Sequence, residues 1–166
     1  MKMNQQAWLD QEDARLTAVV RKHGWMIQYI GGGTCSRPGC DAHHEEGVAF
    51  AYTVGLFGMN HPEMLIFGVS PEVASLVINQ LGDLIRKGSE IIPGQLVEPD
   101  AWNRRILPEP VPNPGEILFT ANRYYLRPDE YSVPALQLTH DDDQGLFPWD
   151  EGYSGPEQPR PGTFRA

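Results

Sequence analysis

The stretch MLIFGVSPEVASLVINQLGDLIRKG, residues 64–88, decides the fold. Met64 to Val69 is a short apolar run, the mark of a central strand with both faces covered. Ser70 then offers an oxygen to free backbone amides. Pro71 takes the first helical position, where its missing N–H costs nothing. Val73, Leu76, Val77, Leu81, Leu84 and Ile85 recur at three- and four-residue steps, which predicts a helix with one buried stripe. Arg86 and Lys87 suit its C-terminal dipole, and Gly88 suits a left-handed stop.

Upstream, Val48 to Leu56 reads as a strand. Alternation puts Phe50, Tyr52, Val54 and Leu56 on one face, with the small Ala51 and Thr53 on the other. Something packs close to that small face, either a helix or a flat ligand. Trp25 to Ile30 reads as its antiparallel neighbour, and residues 31–47 as a polar excursion joining the two. Residues 5–23 carry Leu9, Leu16, Val19, Val20 and His23 at helical spacing, with Trp8 widening the face. Downstream of Gly88, prolines punctuate the chain. Leu96–Val97 and Trp102–Leu107 are short strand candidates. Residues 116–126 read as a helix, or as a strand turning into one. Val133 to His140 reads as a late strand with Leu136 and Leu138 pointing inward.

These elements predict an α+β fold, a mainly antiparallel sheet of about five or six strands packed against two or three helices. A length of 166 residues is enough for one domain with its own core. No seam divides it: residues 1–4 read as a disordered start, and 145–166 as a tail packed over the body. No apolar run is long enough to span a membrane, and no signal core opens the chain, so a cytoplasmic protein is expected. The net charge of −9 and the scattered arginines argue against nucleic-acid binding. Residues 128–159 hold eight of the 22 acidic residues and no Lys or Arg, so most of the net charge is local.

Two places carry donors suited to chemistry. Cys35, Cys40, His43 and His44 lie within ten residues and are the ligand types that tetrahedral zinc takes. Their spacing leaves all four unable to meet one ion easily. Three of them with a distant ligand such as His140 form an easier set, and an ordinary exposed loop is the simpler reading. The second place is Asn60-His61-Pro62-Glu63, after the Gly55 break. His61 and Glu63 would make an acid–base pair or two ligands of an open metal site. Alternatively, His61 and Asn60 simply cap a tight turn. Gln137 and Trp149 are candidates for lining a cleft with Tyr52 and Thr53. Trp149 also reads as a core plug that holds the tail down. No phosphate loop, serine elbow or zinc-protease helix motif occurs.

Phe50 to Leu56, His61-Pro62-Glu63, Leu136-Gln137-Leu138, Gly145-Leu146-Phe147-Pro148-Trp149 and Gln158-Pro159, in this order, resemble a bacterial family called domain of unknown function 4262. The resemblance runs from about Gly24 to Pro159. It implies a small bacterial, cytoplasmic, single-domain protein, and it assigns no catalytic residue. Some members carry a cysteine-bearing insertion after the first strand, which Cys35 and Cys40 resemble.

Three readings of function stand side by side. One is a non-enzymatic small-ligand-binding or regulatory domain, a homodimer in one version, using Tyr52, Thr53, His61, Glu63, Gln137 and Trp149. The second is a metal-assisted hydrolase using His61, Glu63 and His140, with zinc as Lewis acid. The third is an interaction protein that meets a basic partner through its acidic C-terminal segment. No cofactor is required by the sequence, and zinc is the one its donors would suit.

Overall fold

The computed structural model describes residues 4–31 and 48–166. Helix α1 (Gln5–His23) is capped by Asn4, whose side chain accepts a hydrogen bond from the Gln6 amide at 3.1 Å. Of the start expected to be disordered, residues 1–4, Met1 to Met3 lie outside the described residues. Then come β1 (Met26–Ile30), β2 (Phe50–Val54), β3 (Glu63–Phe67) and α2 (Pro71–Arg86). The series ends with β4 (Ile106–Pro110), α3 (Phe119–Tyr124) and β5 (Ala135–His140).

The five strands form one sheet in the order β1-β2-β3-β5-β4. Three pairings are antiparallel, and β3 with β5 is parallel. This is the α+β architecture that the sequence predicts. The apolar runs of β2, β3 and β5 are buried throughout because these strands occupy the middle of the sheet.

Strand alternation divides the core in two. Ala51, Met64, Ile66, Leu136 and Leu138 share one apolar cluster with α2. Phe50, Tyr52, Val54, Leu65 and Phe67 share the other with Leu16 of α1, with Ala121 of α3 and with Leu118 just before it. A helix, not a ligand, thus covers the face that carries Ala51. The tail joins the second cluster: Phe164 packs edge-on against Phe50 and Phe67, with ring centroids 5.1 and 5.0 Å apart.

Helix α2 begins as its sequence dictates, with the Val73 amide donating to Ser70 Oγ and Pro71 in the first turn. Its buried stripe is Ala74, Val77, Ile78, Leu81, Gly82 and Ile85. Leu76 and Leu84, expected inside, are 51% and 40% exposed. The helix is turned toward its small residues because Trp25 needs the room: a Cβ on Gly82 would lie 2.5 Å from the Trp25 ring. Helix α1 is likewise shallower than its spacing suggests, with Leu16 its one fully buried residue and Trp8 exposed.

Two further expectations shift. The strand predicted at 102–107 lies at 106–110, and Val97 adds only an isolated bridge to Ile106. The helix predicted over 116–126 shrinks to α3, preceded by a 3-10 turn at Pro114–Glu116.

Candidate functional site

The link from β2 to β3 turns around one carboxylate. Glu63 opens β3 and is completely buried. Its Oε1 accepts from the amides of Gly55 (2.9 Å) and Phe57 (3.1 Å). Its Oε2 accepts from the Leu56 amide (3.2 Å) and from the Thr53 hydroxyl (2.5 Å). Thr53 Oγ1 in turn accepts from the Met64 amide at 2.9 Å. Three successive amides thus converge on a single side chain, which shapes the 3-10 turn Leu56–Met59. Gly55 makes the approach feasible. Its φ is +135°, and a Cβ there would sit 2.4 Å from the Gly24 carbonyl oxygen.

Two effects oppose each other at Glu63. Burial penalises the charged form, while the four donors favour it. Burial wins, and the carboxyl is raised to about 7. No cation donates to the carboxylate among the described residues. Two phenols feel its charge: Tyr52 is raised mainly by burial, and Tyr125 is raised to about 12 by burial and then by Glu63.

His61 is buried and fully committed. Its Nε2 accepts from the Ile91 amide (3.1 Å), so Nδ1 carries the proton and donates to the Pro62 carbonyl (2.8 Å). His140 is buried at the far end of β5, where Nε2 donates to the Phe67 carbonyl at 2.9 Å. Its Nδ1 has no partner among the described residues, and burial lowers its basicity. Glu63 pairs with Ala135 in the parallel register, and His140 lies five residues further along β5. At ~3.3 Å per residue, about 16 Å of strand separates the two, beyond a shared coordination shell. Among the described residues no group of three or more His, Cys, Asp or Glu could hold a metal ion. The trio His61, Glu63 and His140 is thus not brought together. Cys35, Cys40, His43 and His44 lie outside the described residues.

A cleft of about 560 Å³ opens above the turn, lined by Phe57, Gly58, Asn60, His61, Pro62, Tyr125 and Pro134. The Phe57 and Tyr125 rings meet edge to face at 5.0 Å, and the Gly58 amide donates to the Tyr125 hydroxyl at 3.1 Å. The chain matches the family described as domain of unknown function, DUF4262, over residues 19–154. It belongs to the DUF4262 family. Comparison with curated proteins and with solved structures gave no match. The matched region of this DUF4262 chain contains the Glu63 turn and every residue that lines the cleft.

The remaining predicted residues have other duties. Tyr52 accepts the Thr120 amide at 3.1 Å and so fixes the start of α3. Gln137 is buried and donates to the Pro159 carbonyl at 2.8 Å. Trp149 is 46% exposed, which corrects its reading as a core plug. It stacks on Phe147 at 4.9 Å and under the Arg160 guanidinium at 4.6 Å. Arg160 is itself held by two hydrogen bonds to Glu109, so Trp149 pins the tail from outside. No helix among the described residues is long and apolar enough to cross a membrane.

Four of the eight acidic residues in the 128–159 segment are engaged internally. Asp141 accepts from the Arg105 amide and Nε, Asp143 pairs with Arg104, and Asp150 accepts from the Phe147 amide. Asp142 accepts from the amides of Gln144, Leu146 and Ser154 and from the Ser154 hydroxyl. Sequence reasoning missed Phe57, Tyr125 and Pro134. Tyr125 meets Gly58 across 67 residues of chain, and nothing in local spacing signals that contact.

Proposed function

We propose that this DUF4262 chain is a non-enzymatic domain that binds a small ligand in the cleft between the 57–62 turn and Tyr125. One observation carries the reading: Glu63 is wholly buried and does not line the cleft, and the polar atoms of Glu63 and His61 are turned to partners within the fold. Glu63 has four donors, and both ring nitrogens of His61 are engaged. What lines the opening is a wall of Phe57, Tyr125, Pro62 and Pro134, together with the exposed Asn60. Apolar rings with a few polar groups suit a small, flat, largely uncharged molecule.

The metal-assisted hydrolase lacks this support, since His140 lies about 16 Å of strand from Glu63, and the oxygens of Glu63 and both ring nitrogens of His61 are engaged. The acidic interaction surface is weakened by Arg104 and Arg105, which pair with Asp143 and Asp141.

Benzamide, benzoate and benzylammonium serve as probes in amide and aromatic spectra of labelled protein. Saturable shifts at Gly58, Asn60 and the Tyr125 ring, largest for benzamide, are expected at millimolar probe. Shifts confined to other surfaces, or none, would remove the cleft as a binding site.

A further inference from the structure

The Glu63 carboxylate is hemmed in by groups that can be named element by element. From β2 come the Thr53 hydroxyl and, through its charge, the Tyr52 phenol. From the 3-10 turn come the amides of Gly55, Leu56 and Phe57. Beyond α3 stands the Tyr125 phenol. Across from it on β5 is Ala135, which does not titrate. Its own turn carries His61, whose nitrogens are engaged elsewhere. The nearby guanidiniums serve other partners. Arg127 lies 5.2 Å over the Phe57 ring and donates to the Tyr131 carbonyl, while Arg123 donates to Asp13.

This geometry admits two arrangements. The ionised carboxylate accepts from all four donors. A neutral Glu63 with its proton on Oε2 can donate to Thr53 Oγ1, which keeps its bond from the Met64 amide, while the Thr53 hydroxyl hydrogen turns away. The proton comes from solvent water. The Leu56 amide then faces a hydroxyl oxygen, and the Gly55 and Phe57 amides face a neutral carbonyl, a weaker acceptor than a carboxylate.

We infer that Glu63 is a proton-operated latch on the cleft wall. When it is ionised it gathers the 55–57 amides and holds Phe57 and Gly58 in place; when it is protonated it releases the Leu56 amide and slackens the turn. Burial, which raises the carboxyl to about 7, brings the switch near neutral pH. The consequence for ligand rests on the cleft-binding reading above, but the latch can be observed without ligand.

The test follows the Glu63 side-chain carboxyl carbon and the 55–60 amides from about pH 5 to about pH 8, alone and with benzamide. A shared midpoint near 7 is expected, with benzamide held several-fold more weakly on the acid side. Glu63→Gln should abolish the shared midpoint. Thr53→Val removes the charge-assisted bond to the ionised form and the weaker bond from the neutral form, so it should raise the midpoint by less than about one pH unit. The latch is overturned by a Glu63 midpoint near the ordinary 4.5. It is equally overturned by amide titrations that persist in Glu63→Gln, or by benzamide affinity that ignores a genuine Glu63 midpoint. A shared midpoint without benzamide binding at any pH would leave the latch and remove the ligand reading. Benzamide binding without the midpoint would do the reverse.

Discussion

Glu63 and Asp142 are two carboxylates with the same task and opposite electrostatics. Each accepts from three backbone amides and one hydroxyl, and each thereby shapes a turn. Glu63 does so between two central strands, where burial outweighs the hydrogen bonds and raises its carboxyl to about 7. Asp142 does so under the surface turns of the tail. There the Ser154, Leu146 and Gln144 amides outweigh the loss of water and lower its carboxyl. The number of donors does not set the charge state; the depth of the protein around them does.

The largest expected effect breaks the deeper member. Glu63→Ala leaves three buried amides and a hydroxyl without an acceptor, and should cost about 3–5 kcal/mol in urea unfolding. Asp142→Ala should cost less, because water can reach the freed amides. If the two losses are equal, depth is not the difference between them.

Backbone room separates the regions next. Gly55→Ala sets a Cβ against the Gly24 carbonyl at an unfavourable φ, and should cost about 2–4 kcal/mol. Gly145→Ala meets a φ of +79°, closer to the left-handed region a side chain tolerates, and its nearest neighbour is the Arg105 guanidinium at 3.4 Å, so about 1–2 kcal/mol is expected.

Stability against pH sharpens the contrast, since the signs differ. The folded Glu63 carboxyl lies above its ordinary 4.5, so the folded state binds a proton that the unfolded chain does not. Its contribution to stability should fall as pH rises from about 4.5 to about 7, by up to about 3 kcal/mol. The folded Asp142 carboxyl lies below its ordinary 3.8, so its contribution is present above that pH and lost as pH falls through the folded value. Urea midpoints of Glu63→Gln and Asp142→Asn, each subtracted from wild type across pH, should show opposite slopes. The smallest effect is a null: zinc added to the protein should leave the His61, Glu63 and His140 resonances in place. Joint shifts of all three would restore the metal-site reading.

The fold was legible wherever local chemistry fixed it. The apolar run Met64 to Val69, Ser70-Pro71 and the alternation in Phe50 to Val54 locate β3, α2 and β2 to within a few residues. Spacing alone selects the wrong α2 stripe, because Leu76 and Leu84 fit it with large apolar side chains, whereas Gly82 fits it with none. Only the approach of Trp25 explains why the helix turns its small residues inward. The site was legible in its members but not in their roles. Thr53, His61 and Glu63 stood out as residues, yet whether a histidine nitrogen or a carboxylate oxygen is free depends on amides such as Ile91 and Gly55, which carry no side-chain signal. Tyr125 was invisible for a related reason, since its partner Gly58 lies far away in sequence.

The central claim is that depth, not donor count, decides the charge of these two carboxylates. A site-resolved carbon-13 titration of the carboxyl groups of Glu63 and Asp142 in one sample tests it directly. The expected result is a Glu63 midpoint near 7 and an Asp142 midpoint below 3.8. Two midpoints both below 4.5 would contradict it, because the four donors at Glu63 would then outweigh its burial.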